Sequence, residues 1–397
     1  MKHLIKPTAY LTISNVLTRF AAMVFFVILA RALSVSDYGL FRYLISISFM
    51  YAIIFTGIPT ALSKFISEDK ESEKEYVSNS IFMMVILFVV LSIIILIFQK
   101  NIFVVLFLFA VLVDSFYLGF SRGLLNYVKL SGYNLLENII QLIILIISYI
   151  IYKNIDFTFA VIFFSVSGII SLVIFELFKP ELKLHLILSK EKIKKIVKFT
   201  IPVTLGSIGW TAMFGINAIF IAHFFNTEQV GYFSVAQTLV QIFTFLPAAI
   251  ATIILPKISS LKDKSKILKP LKLAVLGTAG TSIIILILLL TFKHSMVSLI
   301  FTDKYLSAIA ILLPLSIGQI CISLHQIYAS VFQGLGKPSI PSITISIAAA
   351  LNIVGSYFLT KNYGIMGAAI SNAITSAIAL ILIVIIFNKK WKTLSKE

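Results

Sequence analysis

The chain has 397 residues, of which 59% are hydrophobic and only 12% charged, and its mean hydropathy is +1.04. A soluble domain averages about 25% charged residues, so most of this chain belongs in a bilayer. A net charge of +17 would fit nucleic acid only if the basic residues gathered on one soluble face; they fall instead in short loops between apolar runs, and no nucleic acid partner is expected.

A membrane-spanning helix needs roughly 20 largely apolar residues, and twelve such runs follow one another. They lie near 9–30, 38–62, 77–98, 102–121, 132–152, 157–177, 198–224, 230–255, 271–292, 306–333, 340–360 and 365–387. Lys2 and Lys6 before the first run, and Ala30-Arg31-Ala32 after it, resemble a signal peptide. The run carries Asn15 and Arg19 and exceeds the apolar core of about 7 to 15 residues that such peptides use, so it is read as the first span.

An even number of spans puts both termini on one side. With that side cytoplasmic, 25 of the 33 Lys and Arg lie inside, six outside (Arg31, Lys100, Lys153, Lys293, Lys304, Lys361) and two, Arg19 and Arg42, within spans. That asymmetry is the positive-inside pattern, and it predicts a multi-pass protein of the cell (plasma or inner) membrane. The lysines at the inner surface suit anionic lipids.

The longest polar connection, Phe178 to Phe199, alternates charge with Leu and Ile and reads as an amphipathic helix on the inner surface. It divides the chain into an N-terminal six-helix bundle (1–178), a cytoplasmic basic linker (179–198) and a C-terminal six-helix bundle with a short cytoplasmic tail (199–397). The stretch "SDYGLFRYL" from Ser36 has an echo, "EQVGYFSVA" from Glu228, placing Gly39 and Gly231 just after an outer loop in each half. Six spans per half would make the repeats parallel. Each glycine is expected to permit a tight turn, with its aromatic neighbours at the membrane interface.

Charges inside spans are costly and point to function. Thr12, Asn15 and Arg19 share a face of the first span, and Arg42 and Ser46 share one in the second. Asp114 lies deep in the fourth span, Glu137 opens the fifth with Gln141 one turn on, and Glu176 ends the sixth. The second half is polar without charge. Thr200, Thr204, Ser207 and Thr211 line one face of the seventh span, and Ser234, Gln237, Gln241 and Thr244 one face of the eighth. Along the tenth, Ser316, Gln319, Ser323, Gln326, Ser330 and Gln333 recur in three- and four-residue steps. Such stripes face a hydrated cavity or hydrogen-bond neighbouring helices. Arginines in such a cavity suit phosphate oxygens.

There is no Gly-rich loop with the Lys and Ser or Thr of an ATP site, and the five histidines with the single cysteine, Cys321, show no metal-ligand spacing. The outer loops leave little room for a soluble catalytic domain, so no enzyme, no metal and no bound cofactor is expected.

The run Ala30 to Ser67, "ARALSVSDYGLFRYLISISFMYAIIFTGIPTALSKFIS", resembles the opening signature of Wzx-type polysaccharide flippases of the multidrug/oligosaccharidyl-lipid/polysaccharide exporter superfamily. Gly57, Ala61, Lys64 and Phe65 stand where that signature closes. "GINAIFIAHFFNTEQVGYFSVAQTL" is similar to the family's middle signature and "QGLGKPSIPSITISIAAALNIVGSYFLTKNYGIMGAAISNAI" to its C-terminal one. Asn217-Ala218 departs from the Asp-Arg often found in the middle signature.

The resemblance implies an all-α, MATE-like fold of two six-helix bundles around a central cavity. It also implies alternating-access transfer of a polyprenyl-pyrophosphate-linked oligosaccharide from the inner to the outer leaflet for surface glycan assembly. Arg19, Arg42, Lys64 and Arg122 are then the pyrophosphate residues, and Gln237, Gln241, Gln319, Ser323, Gln326 and Ser330 the sugar-facing stripe. Asp114 and Glu137 are the candidates for coupling to H+ or Na+. The expected partners are the lipid-linked substrate, the membrane and polysaccharide-assembly proteins, around a monomer. The competing readings are an ion-coupled drug or cation antiporter of the same superfamily, an integral-membrane glycan polymerase or glycosyltransferase, and a scaffold for assembly enzymes.

Overall fold

A computed structural model describes the backbone of all residues except 1, 153–154, 179, 183–184, 260–266 and 395–397. Side chains are additionally left undescribed at 2–13, 15, 127–129, 152, 205–206, 252–253, 255–257, 259 and 392–394, so the Thr12 and Asn15 stripe lies outside the described side chains. The described residues form helices and no strand. Among the described residues there are fourteen α-helices: α1 Lys2–Ala32, α2 Val35–Ala52, α3 Gly57–Glu68, α4 Glu73–Phe98, α5 Ile102–Gly123, α6 Tyr127–Tyr152, α7 Phe157–Phe178, α8 Lys190–Phe224, α9 Thr227–Val240, α10 Phe245–Ser259, α11 Leu268–Thr291, α12 Lys293–Phe301, α13 Leu312–Gly334 and α14 Ser339–Leu394.

Ten helical segments among the described residues are long and apolar enough to cross a bilayer. The last holds two spans, because α14 bends at Gly364, whose φ of 59° lies in the left-handed region that favours glycine. Together with α1 these make the twelve spans of a multi-pass membrane protein. Two spans are broken where the sequence reads continuously apolar: a 3₁₀ turn, Ile53–Phe55, separates α2 from α3, and another, Gln241–Thr244, separates α9 from α10. The first residues of α2 and α9, Val35 and Thr227, stand 192 positions apart, so the two sequence echoes open helices with the same break.

Packing divides the chain into two units, Met1–Ser34 with Phe41–Thr211 and Val35–Leu40 with Ala212–Glu397. In the first, α1 lies on α6, α3 on α5, and α7 against both α5 and α6. Its centre is aromatic: Phe41 meets Phe107 and Phe164 edge to face, with ring centroids 5.2 and 5.6 Å away.

The connection after α7 differs from the single amphipathic helix expected. Helix begins only at Lys190, and residues 185–189 are irregular because α4 takes up their backbone groups. The Ile187 amide donates to Ser78 Oγ at 2.8 Å, Asn79 Nδ2 donates to the Ile187 carbonyl at 3.1 Å, and the Ser189 amide donates to Asn79 Oδ1 at 3.0 Å. With those groups satisfied, a helix has nothing to gain there.

In the second unit α13 is the axis, packed along α14, α10, α11 and α9. Its N-terminal strip, Val35–Leu40, lies on the start of α9: Ser36 Oγ and Thr227 Oγ1 are 2.7 Å apart. A Cβ on Gly39 would fall 1.7 Å from the Thr227 carbonyl oxygen, and one on Gly231 would fall 2.4 Å from that of Val35. Both glycines sit inside helices, so they serve close approach of two backbones rather than the tight turn expected. Tyr38 is likewise fully buried, edge to face with Tyr305 at 6.0 Å, instead of lying at an interface.

Candidate functional site

The polar stripe of the tenth span separates into two rows once α13 is packed. Ser316, Ser323 and Ser330 are buried, while Gln319 and Gln326 are half-buried and Gln333 is exposed. The serines serve the helices. Ser323 Oγ donates to the Phe243 carbonyl at 2.9 Å, filling a group released by the 3₁₀ break, and Ser330 Oγ donates to the Gln326 carbonyl at 2.9 Å. The glutamines differ. Gln319 and Gln326 on α13, with the half-buried Gln237 and Gln241 on the adjoining α9 and its break, offer amides with no side-chain partner among the described residues. All four lie on packed elements of the second unit, and each amide is able to donate twice and accept twice.

The first unit holds the in-span charges. Asp114 on α5 and Glu137 on α6 are neighbours in one cluster. Tyr133 donates to Asp114 Oδ1 at 2.6 Å, with the Gly168 carbonyl 3.2 Å away. Gln141 Nε2 lies 3.3 Å from Glu137 Oε1 and 2.8 Å from Ser167 Oγ. Among the described residues no three His, Cys, Asp or Glu gather to hold a metal.

Glu176 has a different task from the pair. Its Oε1 accepts from Tyr117 at 3.0 Å and its Oε2 from the Glu181 and Leu182 amides, each at 2.8 Å, which ties down the end of α7. The Tyr117 ring lies 4.5 Å from that of Tyr133.

The four cations expected together are spread over four helices. Arg19 on α1 is exposed, and Arg42 on α2 is half-buried with its guanidinium 4.3 Å over the Phe26 ring of α1. Arg122 ends α5, exposed. Lys64 on α3 pairs with Glu68 at 3.1 Å and stands 5.1 Å from both the Phe65 and Phe199 rings.

That last cluster anchors the start of α8. Phe65 stacks on Tyr76 at 5.3 Å and meets Phe199 at 5.7 Å. Lys195 reaches the Tyr76 hydroxyl at 3.0 Å, and Lys192 reaches Ser72 Oγ at 2.9 Å and Asp69 at 3.4 Å. Hydrogen bonds from Ser72, then Lys192, hold the Asp69 carboxyl below the usual carboxylate range.

A buried network in the second unit was not read from the sequence. Asn352 Oδ1 lies 3.2, 3.1 and 3.3 Å from the hydroxyls of Ser356, Ser371 and Thr375, while its Nδ2 donates to the Met213 carbonyl at 3.3 Å. Ser356 also donates to Asn217 Oδ1. Neutral Asn217 thus joins a neutral network tying α8 to both arms of α14, where such bonds fasten membrane helices.

The chain matches the family described as "Polysaccharide biosynthesis protein" over residues 4–262. It is 25% identical over 395 residues to the capsular polysaccharide biosynthesis protein CapF of Staphylococcus aureus, covering 95% of this chain and 98% of that one. It is 23% identical over 190 residues to the probable low-salt glycan biosynthesis flippase Agl15 of Haloferax volcanii, covering 47% of this chain and 39% of that one. Among solved structures it superposes on the lipid II flippase MurJ in an inward closed conformation with a TM-score of 0.76, 16% identity and coverage of 97% and 89%. On an inward-facing multidrug MATE transporter of the MOP superfamily the TM-score is 0.67, with 16% identity and 96% of both chains covered. On the family match and the shared fold, the chain belongs to the polysaccharide biosynthesis protein family and is built on the MATE-like fold of the MOP superfamily.

Proposed function

We propose that the protein is a flippase that carries a polyprenyl-pyrophosphate-linked oligosaccharide from the inner to the outer leaflet of the cell membrane by alternating access, and that it makes or breaks no covalent bond in doing so. The observation that carries this reading is the four half-buried amides of Gln237, Gln241, Gln319 and Gln326 on adjoining elements: partly open amides in membrane helices are costly unless a hydroxyl-rich ligand or water meets them. CapF and Agl15, by their names, serve glycan assembly in other organisms, which supports a saccharide as that ligand.

Arg19 and Arg42 are the cations set within spans and take the pyrophosphate, whose oxygens match the guanidinium fork. Arg122 and Lys64, at helix ends on the cytoplasmic side, meet it during loading. Asp114 and Glu137 bind the coupling ion, H+ in preference to Na+, because two neighbouring carboxylates readily hold one proton between them. The protein works as a monomer that receives its substrate from polysaccharide-assembly proteins.

The test is reconstitution into vesicles with labelled lipid-linked oligosaccharide, comparing the wild type with R19Q/R42Q. Leaflet transfer by the wild type, and its loss in the double variant, is expected. Transfer that survives loss of both arginines overturns the pyrophosphate assignment; export of cationic dyes with no lipid transfer overturns the flippase reading in favour of an antiporter.

A further inference from the structure

The first unit carries a groove of about 510 Å³ that the proposed transport path does not use. Its size falls within the roughly 300 to 1,000 Å³ of small-molecule sites. The walls are Ile58 on α3, Phe82 and Ile86 on α4, and Val197 and Ile201 on α8. Several of these face outward, with Ile86 45% and Ile201 57% exposed, so the groove opens to lipid. At its floor α3 presses on α8: a Cβ on Gly57 would lie 2.5 Å from the Thr200 carbonyl oxygen. The Thr200 and Thr204 hydroxyls there have no partner among the described residues. A site this apolar cannot hold ordered water, which needs two to four polar partners; in a bilayer hydrocarbon fills it.

The α8 wall shows which hydrocarbon. Val197 and Ile201 continue, three to eleven residues back along the same helical face, to Lys194 and Lys190. Both lysines are exposed and neither has an ion-pair partner among the described residues, whereas Lys192 and Lys195 of the same helix are spent on Asp69, Ser72 and Tyr76. One face therefore passes from an apolar groove to two free ammonium groups where the helix leaves the membrane. A phosphate above a single chain is complementary to that face. The substrate of the proposed function joins a diphosphate to a single apolar chain, whereas a glycerophospholipid carries two chains.

We propose that this groove seats the isoprenoid tail of the substrate at its first capture, with its phosphates on Lys190 and Lys194 before they pass to Lys64 and Arg122 for loading. This rests on the flippase reading but can fail separately from it. The full-length protein in lipid nanodiscs is exposed to a sugar-free polyprenyl diphosphate bearing a diazirine in its chain, and the labelled peptides are identified by mass spectrometry. Label is expected on Phe82–Leu87 and Ile193–Ile201, competed by unlabelled polyprenyl diphosphate and not by an equal excess of phosphatidylglycerol. K190Q/K194Q lowers labelling about tenfold or more, the scale of two surface lysines, and I201W does so by filling the groove. Label elsewhere, or equal competition by phosphatidylglycerol, overturns the proposal without the use of any variant. If the wild type moves labelled lipid-linked oligosaccharide in vesicles while the groove takes no label, the groove assignment fails and the flippase reading stands.

Discussion

Replacing Glu137 with glutamine asks whether the buried carboxyl pair carries the driving proton. Asp114 and Glu137 are neighbouring carboxyls within the spans, and the proposed coupling asks one proton to fill and leave the pair in each cycle. Glutamine keeps the length of the side chain, and its amide can donate to Asp114 as a protonated carboxyl would; Tyr133 still donates to Asp114 at 2.6 Å and Gln141 still meets Ser167 at 2.8 Å. Packing is kept and titration at 137 is lost. One proton moving down a gradient of one pH unit releases about 1.4 kcal/mol, which sustains about a tenfold difference in substrate between leaflets. In vesicles with labelled lipid-linked oligosaccharide and a clamped pH gradient, the wild type is expected to shift the steady-state leaflet ratio by about tenfold per pH unit. E137Q should equilibrate the leaflets with no such dependence. A variant that still follows the gradient tenfold per unit refutes the assignment. So does a wild type that ignores pH and responds to sodium.

Two further outcomes separate packing residues from substrate residues. S323A frees the Phe243 carbonyl in the membrane and should destabilise the protein by about 0.6 to 2 kcal/mol, read as a lower melting temperature in detergent, whereas Q326L should leave melting unchanged and abolish transfer; the reverse pattern would exchange their roles. S36C/T227C, made with Cys321→Ser to remove the native thiol, joins side chains whose oxygens lie 2.7 Å apart and should form a disulfide with mild oxidant that stops transfer until it is reduced. Undiminished transfer by the fully crosslinked protein would show that this contact need not open.

The twelve spans were legible because length and hydropathy decide them, and the family because its signatures follow one another along the chain. Features that depend on contact between distant residues were less legible. The 3₁₀ breaks at Ile53–Phe55 and Gln241–Thr244 contain no glycine or proline to mark them, and the partner that accommodates the second, Ser323, is 80 residues beyond Phe243. The Asn352 network gathers residues from three stretches, 213–217, 352–356 and 371–375. Its only local trace is the four-residue spacing of Asn352 with Ser356 and of Ser371 with Thr375.

The stripe on α13 shows where periodicity stops being informative. Three- and four-residue steps place six polar residues on one broad face, yet that face is two seven-residue rows side by side, Ser316, Ser323 and Ser330 next to Gln319, Gln326 and Gln333. Side-chain size separates them: serine is small enough to be buried against a neighbouring helix, where the Ser323 hydroxyl reaches the Phe243 carbonyl, and glutamine is too long to be enclosed there without a partner at its end. The same logic corrects the paired glycines. A helix that begins Val-Ser-Asp-Tyr-Gly and one that begins Thr-Glu-Gln-Val-Gly each put the glycine one turn in, facing the other helix. The repeat therefore conserves room for two backbones to touch, and either glycine replaced by alanine would separate them as surely as both.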